Sequence, residues 1–272
     1  MAETQLHPSR RPRSLSVLGV RVDDITFAET LAMCAASIVE RRPLLIATVN
    51  TEFVMAARGD AQFRRVLAQA GLAVPDGIGL LLAARLSGHP IREHVRGSEL
   101  VERLAALGAR EGYRLFFLGG RQGAASLAAA NLARRYPGLQ VVGCYEGSGD
   151  RAGDAETVAA VRGAGAVDVL LVAYGAPKQE EWLARNQVAL GVPVGIGVGG
   201  VFDFFSGRVP RAPLWLRRLE LEWLYRLLTQ PWRWRRQLAL PRFLALVLAS
   251  FLARRSPVRD LGPLLRPGGE AD

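Results

Sequence analysis

An alternation limits most what this chain can fold into. From Leu15 to about Ser206, short apolar runs take turns with longer segments of helical periodicity. The runs Leu44–Val49, Leu72–Val74, Arg114–Leu118, Leu139–Val142, Val167–Ala173 and Val192–Gly197 read as strands. Between them, Thr26–Glu40, Thr51–Ala70, Gly79–Ser87, Ser98–Glu111, Gln122–Arg135, Asp154–Arg162 and Lys178–Ala189 read as helices. Several strands are continuous apolar runs, as burial on both faces requires. Strands joined by helices of this length need crossover connections. The pattern therefore predicts an α/β body with a mostly parallel, Rossmann-like sheet covered by helices. Ligands in such sheets bind beyond the carboxyl ends of strands. That rule selects Thr48–Thr51, Pro75–Gly79, Gly119–Gly123, Tyr174–Gln179 and Gly197–Asp203.

Length and composition narrow the class. At 272 residues the chain can bury a large core and carry an appendage. Two cysteines, Cys34 and Cys144, and three histidines exclude a disulfide scaffold and any His/Cys cluster with zinc spacing. No metal and no cofactor is expected. Residues 1–14 read as a disordered tail, polar and basic, without the apolar core of a secretory signal. No apolar run approaches the roughly 18 residues of a membrane-spanning helix. A cytoplasmic location is the expectation.

The formal charge is +10, and its location says more than its size. Between Gly207 and Arg259 stand 12 arginines, no lysine and only Glu220 and Glu222 as acids, so that segment alone carries the whole excess. The body, taken as residues 15–206, belongs to the neutral remainder. From 207 to about 255, prolines, arginines and four of the five tryptophans interleave, which reads as a separate basic helical appendage; 256–272 reads as a flexible tail. Arg226, Arg233 and Arg236 recur near heptad spacing and so share a helix face. Basic residues with Trp and the apolar run Phe243–Ala253 suit an anionic membrane surface better than nucleic acid.

Five constellations are candidates for chemistry. Thr48 and Asn50 stand where a strand meets a helix, placed either to cap that helix or to hydrogen-bond a sugar or nucleotide. Asp76, in Pro75-Asp76-Gly77-Ile78-Gly79, is either a turn cap or a general base at a strand end. Gly119 and Gly120 open a helix where free backbone amides favour phosphate, or else form an ordinary turn. Lys178 is the only lysine beside 34 arginines, and Gln179 next to it is a neutral amide suited to hydroxyl or uracil contacts. The stretch Gly195–Gly200 matches the letters of a dinucleotide fingerprint, but it falls in the last strand of the body with no second half-fold after it.

Six short segments occur in an order that resembles the WecG/TagA/CpsF family of bacterial glycosyltransferases. They are Thr48-Val-Asn50, Pro75-Asp76-Gly77-Ile-Gly79, Phe117-Leu-Gly119-Gly120, Gly175-Ala-Pro177-Lys178-Gln179-Glu180, Gly199-Gly200-Val-Phe202-Asp203, and Arg211-Ala-Pro213 followed by Glu222-Trp223-Leu-Tyr225-Arg226. The resemblance implies an inverting, metal-independent enzyme at the cytoplasmic face of the membrane. It would move an N-acetylmannosamine-type or related sugar from a UDP-sugar to a polyprenyl-diphosphate-linked sugar. It further implies that Asp76 is the base, that Thr48, Asn50 and Gln179 lie in the pocket, and that Arg226, Arg233 and Arg236 meet diphosphate. Where the family often has Arg before Gly97, this chain reads Arg92-Glu93-His94-Val95-Arg96; His94, Arg92 or Arg96 takes that place. The pocket is open to completion by the appendage or by a second copy of the chain. A non-catalytic nucleotide-sugar or nucleic-acid binder and an NAD-dependent oxidoreductase are the alternatives.

Overall fold

The structure is a computed structural model that describes residues 12–213, 215–216, 219, 221–229 and 234–263. Its centre is a six-stranded parallel sheet. The strands are β3 (Leu44–Val49), β4 (Leu72–Pro75), β5 (Arg114–Gly119), β6 (Gln140–Tyr145), β7 (Val169–Ala173) and β8 (Val194–Gly197), in the order β4-β3-β8-β7-β5-β6. The mostly parallel sheet expected from the apolar runs is therefore present, with helices on its faces. These are α1 (Phe27–Val39), α2 (Thr51–Gly59), α3 (Ala61–Gln69), α4 (Ile78–Leu86), α5 (Gly97–Glu111), α6 (Ala124–Arg135), α7 (Asp154–Gly163), α8 (Lys178–Leu190) and α9 (Val201–Phe205).

Local chemistry explains the boundaries. Thr26 and Glu29 form a reciprocal capping box at the start of α1. Gly112 and Gly191 end α5 and α8 in the left-handed conformation that glycine adopts without steric cost. The single helix expected over Thr51–Ala70 is two. Asp60 is extended, and its Oδ1 accepts from the Gln62 and Phe63 amides at 2.9 Å each, so it starts α3 where α2 stops.

A second sheet went unread in the sequence. β1 (Arg13–Val17) lies between β2 (Val20–Asp24) and β9 (Val258–Pro263), all antiparallel. It is joined to the main sheet through Asp23. That buried carboxylate accepts from Ser14 Oγ at 2.7 Å and from the Ala73 amide of β4 at 2.8 Å. The flexible tail expected from residue 256 is thus a paired strand over 258–263, because Val258 is buried against β1 and the ladder satisfies its backbone.

The segment after 207 also differs from the separate appendage expected. It contains α10 (Glu222–Thr229), α11 (Trp234–Gln237) and α12 (Ala239–Leu252). Helix α12 packs on α2 and α4, and its Phe243 and Val247 are buried in the same cluster as Phe53, Phe63 and Leu80. The apolar run is therefore two-faced. One stripe enters the core, while Leu244, Leu248 and Leu252 face outward. Among the described residues no helix is long and apolar enough to cross a membrane.

Candidate active site

The loops after β4, β3, β8 and β7 surround a polar cavity of about 230 Å³. It lies beyond the carboxyl ends of four adjacent parallel strands, where open α/β sheets bind ligands. Thr48, Asn50, Asp76, His94, Arg96, Gln179 and Arg236 all line it, with Trp223 of the last family-like segment and with Glu52, Ser98 and Phe204, which sequence reasoning did not single out.

Asp76 follows β4, its amide donating to the Val49 carbonyl at 2.8 Å. It does not cap α4, whose N-cap is Gly77 with no side-chain bond. Its Oδ1 accepts instead from the Gly97 amide, in the first turn of α5, at 2.9 Å. A helix N-terminus is a favourable place for negative charge, and Asp76 lines the cavity from there. Glycine is needed around it for space. A Cβ on Gly79 would lie 2.5 Å from Thr51 Cγ2 and 3.1 Å from Leu240 Cδ1, so this glycine lets α4 approach α2 and α12 closely.

Asn50 caps α2 and also lines the cavity. Asn50 Oδ1 accepts from the Glu52 and Phe53 amides at 3.0 and 3.1 Å, which starts α2. The oxygen is thereby committed, and the amide nitrogen is the end left for a ligand. Thr48 is buried and donates its hydroxyl hydrogen to the Gly197 carbonyl at 3.1 Å, tying β3 to β8 at the cavity floor.

Three basic candidates before α5 are now separated. Arg92 is held by Glu29 at 2.8 and 2.9 Å and by the Asp24 carbonyl at 2.6 Å, away from the cavity lining. His94 and Arg96 line the cavity, and Arg96 pairs with Glu99 at 3.3 Å. From the C-terminal segment, Arg236 reaches the rim, where its Nε and Nη2 donate to Glu52 at 2.7 and 3.1 Å. Arg226 lies in α10 with its side chain outside the described part, and Arg233 lies outside the described residues.

Three candidates are not brought to this cavity. Gly119 and Gly120, both with positive φ, let β5 turn out of the sheet against β7: a Cβ on Gly119 would meet the Ala173 backbone at 2.9 Å. The amide of Gly123, just before α6, is already taken by the Glu146 carboxylate. The Gly120 amide donates to the Ala173 carbonyl at 3.1 Å, so this turn has a structural role of its own. Lys178, more than half exposed, pairs with Asp150 at 2.8 Å on the outside of α8. The glycines of 195–200 also receive a structural role. A Cβ on Gly195 would lie 2.6 Å from Gln187 Oε1, and one on Gly197 2.1 Å from Glu180 Oε1. These glycines admit polar side chains of α8, which removes the basis for a dinucleotide fingerprint.

Sequence comparison identifies the class of enzyme. Over residues 15–257 the chain matches the WecG/TagA/CpsF family of glycosyl transferases. It belongs to that family, and the protein is a glycosyltransferase. An N-acetylglucosaminyldiphosphoundecaprenol N-acetyl-beta-D-mannosaminyltransferase of Bacillus subtilis (strain 168) is 34% identical over 205 residues, covering 75% of this chain and 78% of that protein. A protein of the same name from Bacillus spizizenii is 33% identical over 218 residues, covering 80% and 84%.

Proposed function

We propose that this glycosyltransferase moves an N-acetylmannosamine-type or related sugar from a UDP-sugar to a polyprenyl-diphosphate-linked sugar. The work would be done at the cytoplasmic face of the membrane, in cell-surface polysaccharide synthesis. The observation that carries this reading is the junction of two unlike cavities. The polar site shares Trp223, Gln237 and Leu240 with an apolar cleft of about 420 Å³ lined also by Leu227, Trp234, Leu238, Pro241 and Leu244. An acceptor with a sugar diphosphate at one end and a polyprenyl chain at the other has the same two-part chemistry. The named activity of the two Bacillus relatives supports the same acceptor class.

In the mechanism, an acceptor hydroxyl attacks the donor's anomeric carbon from the face opposite UDP. Asp76 takes the hydroxyl proton. The bond from the anomeric carbon to the diphosphate oxygen breaks, UDP leaves with that electron pair, and the configuration inverts. The growing negative charge meets guanidinium groups, which bind phosphate oxygens bidentately. Arg96 and Arg236, which line the cavity, would supply them. Arg236 would exchange the Glu52 carboxylate for diphosphate, so Glu52 holds it at the rim until substrate arrives. Replacing Arg236 by Ala is then expected to raise the donor KM by about 10- to 100-fold, the loss of one charge-assisted contact, with a smaller change in melting temperature.

The outward apolar side chains Leu244, Leu248, Phe251 and Leu252, followed by Arg254 and Arg255, support docking on an anionic membrane. The reaction is tested by UDP release across a panel of UDP-sugars with a polyprenyl-diphosphate-linked N-acetylglucosamine acceptor. No release with any donor would sink the reading. Flotation with phosphatidylglycerol vesicles tests the location, and a protein that stays at the bottom of the gradient would remove the membrane from it.

A further inference from the structure

Glu180 is fully buried and follows Gln179 in the first turn of α8. Two backbone amides, those of Gly175 and Gly199, point at one atom of the Gln179 side chain from 3.0 and 2.9 Å. Two donors can share only an acceptor, so that atom is oxygen. The Gln179 nitrogen therefore faces Glu180 and donates to its Oε1 at 2.6 Å. An amide nitrogen carries two hydrogens. The second has no partner among the described residues, and Gln179 lines the polar cavity.

A carboxyl is an expensive group to bury, and an apolar side chain would fill this space at lower cost. Its Oε2 makes no hydrogen bond among the described residues. Room for it exists only because the facing residue of β8 is Gly197, where a Cβ would lie 2.1 Å from Glu180 Oε1 and 2.6 Å from Gln179 Nε2. The Gly197 carbonyl in turn accepts from Thr48. The carboxyl thus sits behind the cavity wall, one contact from the ligand space.

We propose that Glu180 is a positioning residue of the transfer site: it fixes the Gln179 amide so that the second N–H is held toward the cavity as a donor to a neutral substrate oxygen. Such an oxygen is a sugar hydroxyl or an amide or uracil carbonyl. The inference rests on the reading that this cavity takes the sugar nucleotide and its acceptor. Burial, assisted by the neighbouring carboxylates Glu181 and Glu52, pushes the Glu180 carboxyl up to about 8. Below that pH the group is neutral and adds no negative charge behind a site for anionic substrates.

The test compares Glu180→Leu, Gln179→Ala and the double variant in the full-length protein, using the donor that gives UDP release with the wild type. Each single variant should raise the donor KM about tenfold, the weight of one hydrogen bond. The double variant should be no worse than Gln179→Ala, because Glu180 acts through Gln179. Wild-type behaviour of Glu180→Leu, or losses that multiply in the double variant, would overturn the proposal. Glu180→Gln keeps an acceptor oxygen and should restore the KM at pH 7. As pH rises through 8, the wild-type KM should climb while that of Glu180→Gln stays flat. Should Glu180→Leu not fold, this pH comparison decides, and a wild-type profile flat through pH 8 counts against the role. A wild type that releases no UDP from any donor counts instead against the function proposed for the cavity.

Discussion

Replacing Asp76 by Asn is expected to lower kcat by about two to four orders of magnitude while the donor KM stays within a fewfold. Asn has the same shape, and its Oδ1 can still accept from the Gly97 amide now bound at 2.9 Å. The fold around α5 should therefore survive, which circular dichroism and a thermal melt will check. An amide cannot take up the proton of an attacking hydroxyl, so only the chemical step loses its acceptor. Steady-state UDP release separates the two parameters. The competing account is that Asp76 merely caps a helix. On that account Asp76→Asn costs a little stability and no turnover, and an undiminished kcat would reduce Asp76 to the cap of α5.

Why Asp76 was legible in the sequence while Glu180 was not is a matter of geometry. Thr48 is in the last residues of β3, and Asn50, Asp76 and Gln179 lie in the connections that follow β3, β4 and β7, so the strand-end rule finds them without any contact information. The same rule also selects Gly119 and Gly120. Those stand at the end of β5, the strand next to β7 and the first one outside the four whose ends build the cavity. Strand order is a long-range property, so local apolar runs do not separate the strand ends that share a cavity from those that do not. Glu180 is hidden for a related reason. Its partner across the core is Gly197, and the pairing of a buried polar residue on α8 with a glycine on β8 recurs between Gln187 and Gly195. The signal was present as the glycine spacing in 195–200 but pointed, by its letters, to a nucleotide.

The second sheet escaped for a different reason. β1 and β9 are about 245 residues apart, and β9 reads Val-Arg-Asp-Leu-Gly-Pro with only Val258 buried. A solvated edge strand carries too little apolar pattern to be recognised alone. Its ion pair, Arg13 with Asp260 at 2.7 Å, joins residues that the sequence places in two separate tails. The tryptophan-rich composition after 207 marks a change in the sequence and reads as a separate appendage. It concealed that α12 has one face in the core.

That face sets the second large effect. A chain cut after Ser206 is expected to lose its stable fold as well as its activity, and not to leave a folded body behind. The cut removes Phe243 and Val247, 0% and 1% exposed in the cluster built on α2 and α4, and it strips β9 from β1. Truncating a buried phenylalanine alone costs about 3–5 kcal/mol, against a total of about 5–15 kcal/mol for a typical domain. Point variants separate this structural duty from membrane docking. Phe243→Ala should lower the urea midpoint by an amount equivalent to about 3–5 kcal/mol. Leu248→Ser with Leu252→Ser alters residues that are 59% and 87% exposed. It should leave that midpoint nearly in place, each change worth less than about 0.5 kcal/mol, while reducing flotation with phosphatidylglycerol vesicles. A truncated chain that melts at the full-length temperature would show that α12 only rests on the body. Equal flotation of the Leu248 and Leu252 variant would move the membrane contact elsewhere on the C-terminal segment. Both outcomes follow from one observed fact, that the helix turns Phe243 and Val247 inward and Leu248 and Leu252 outward.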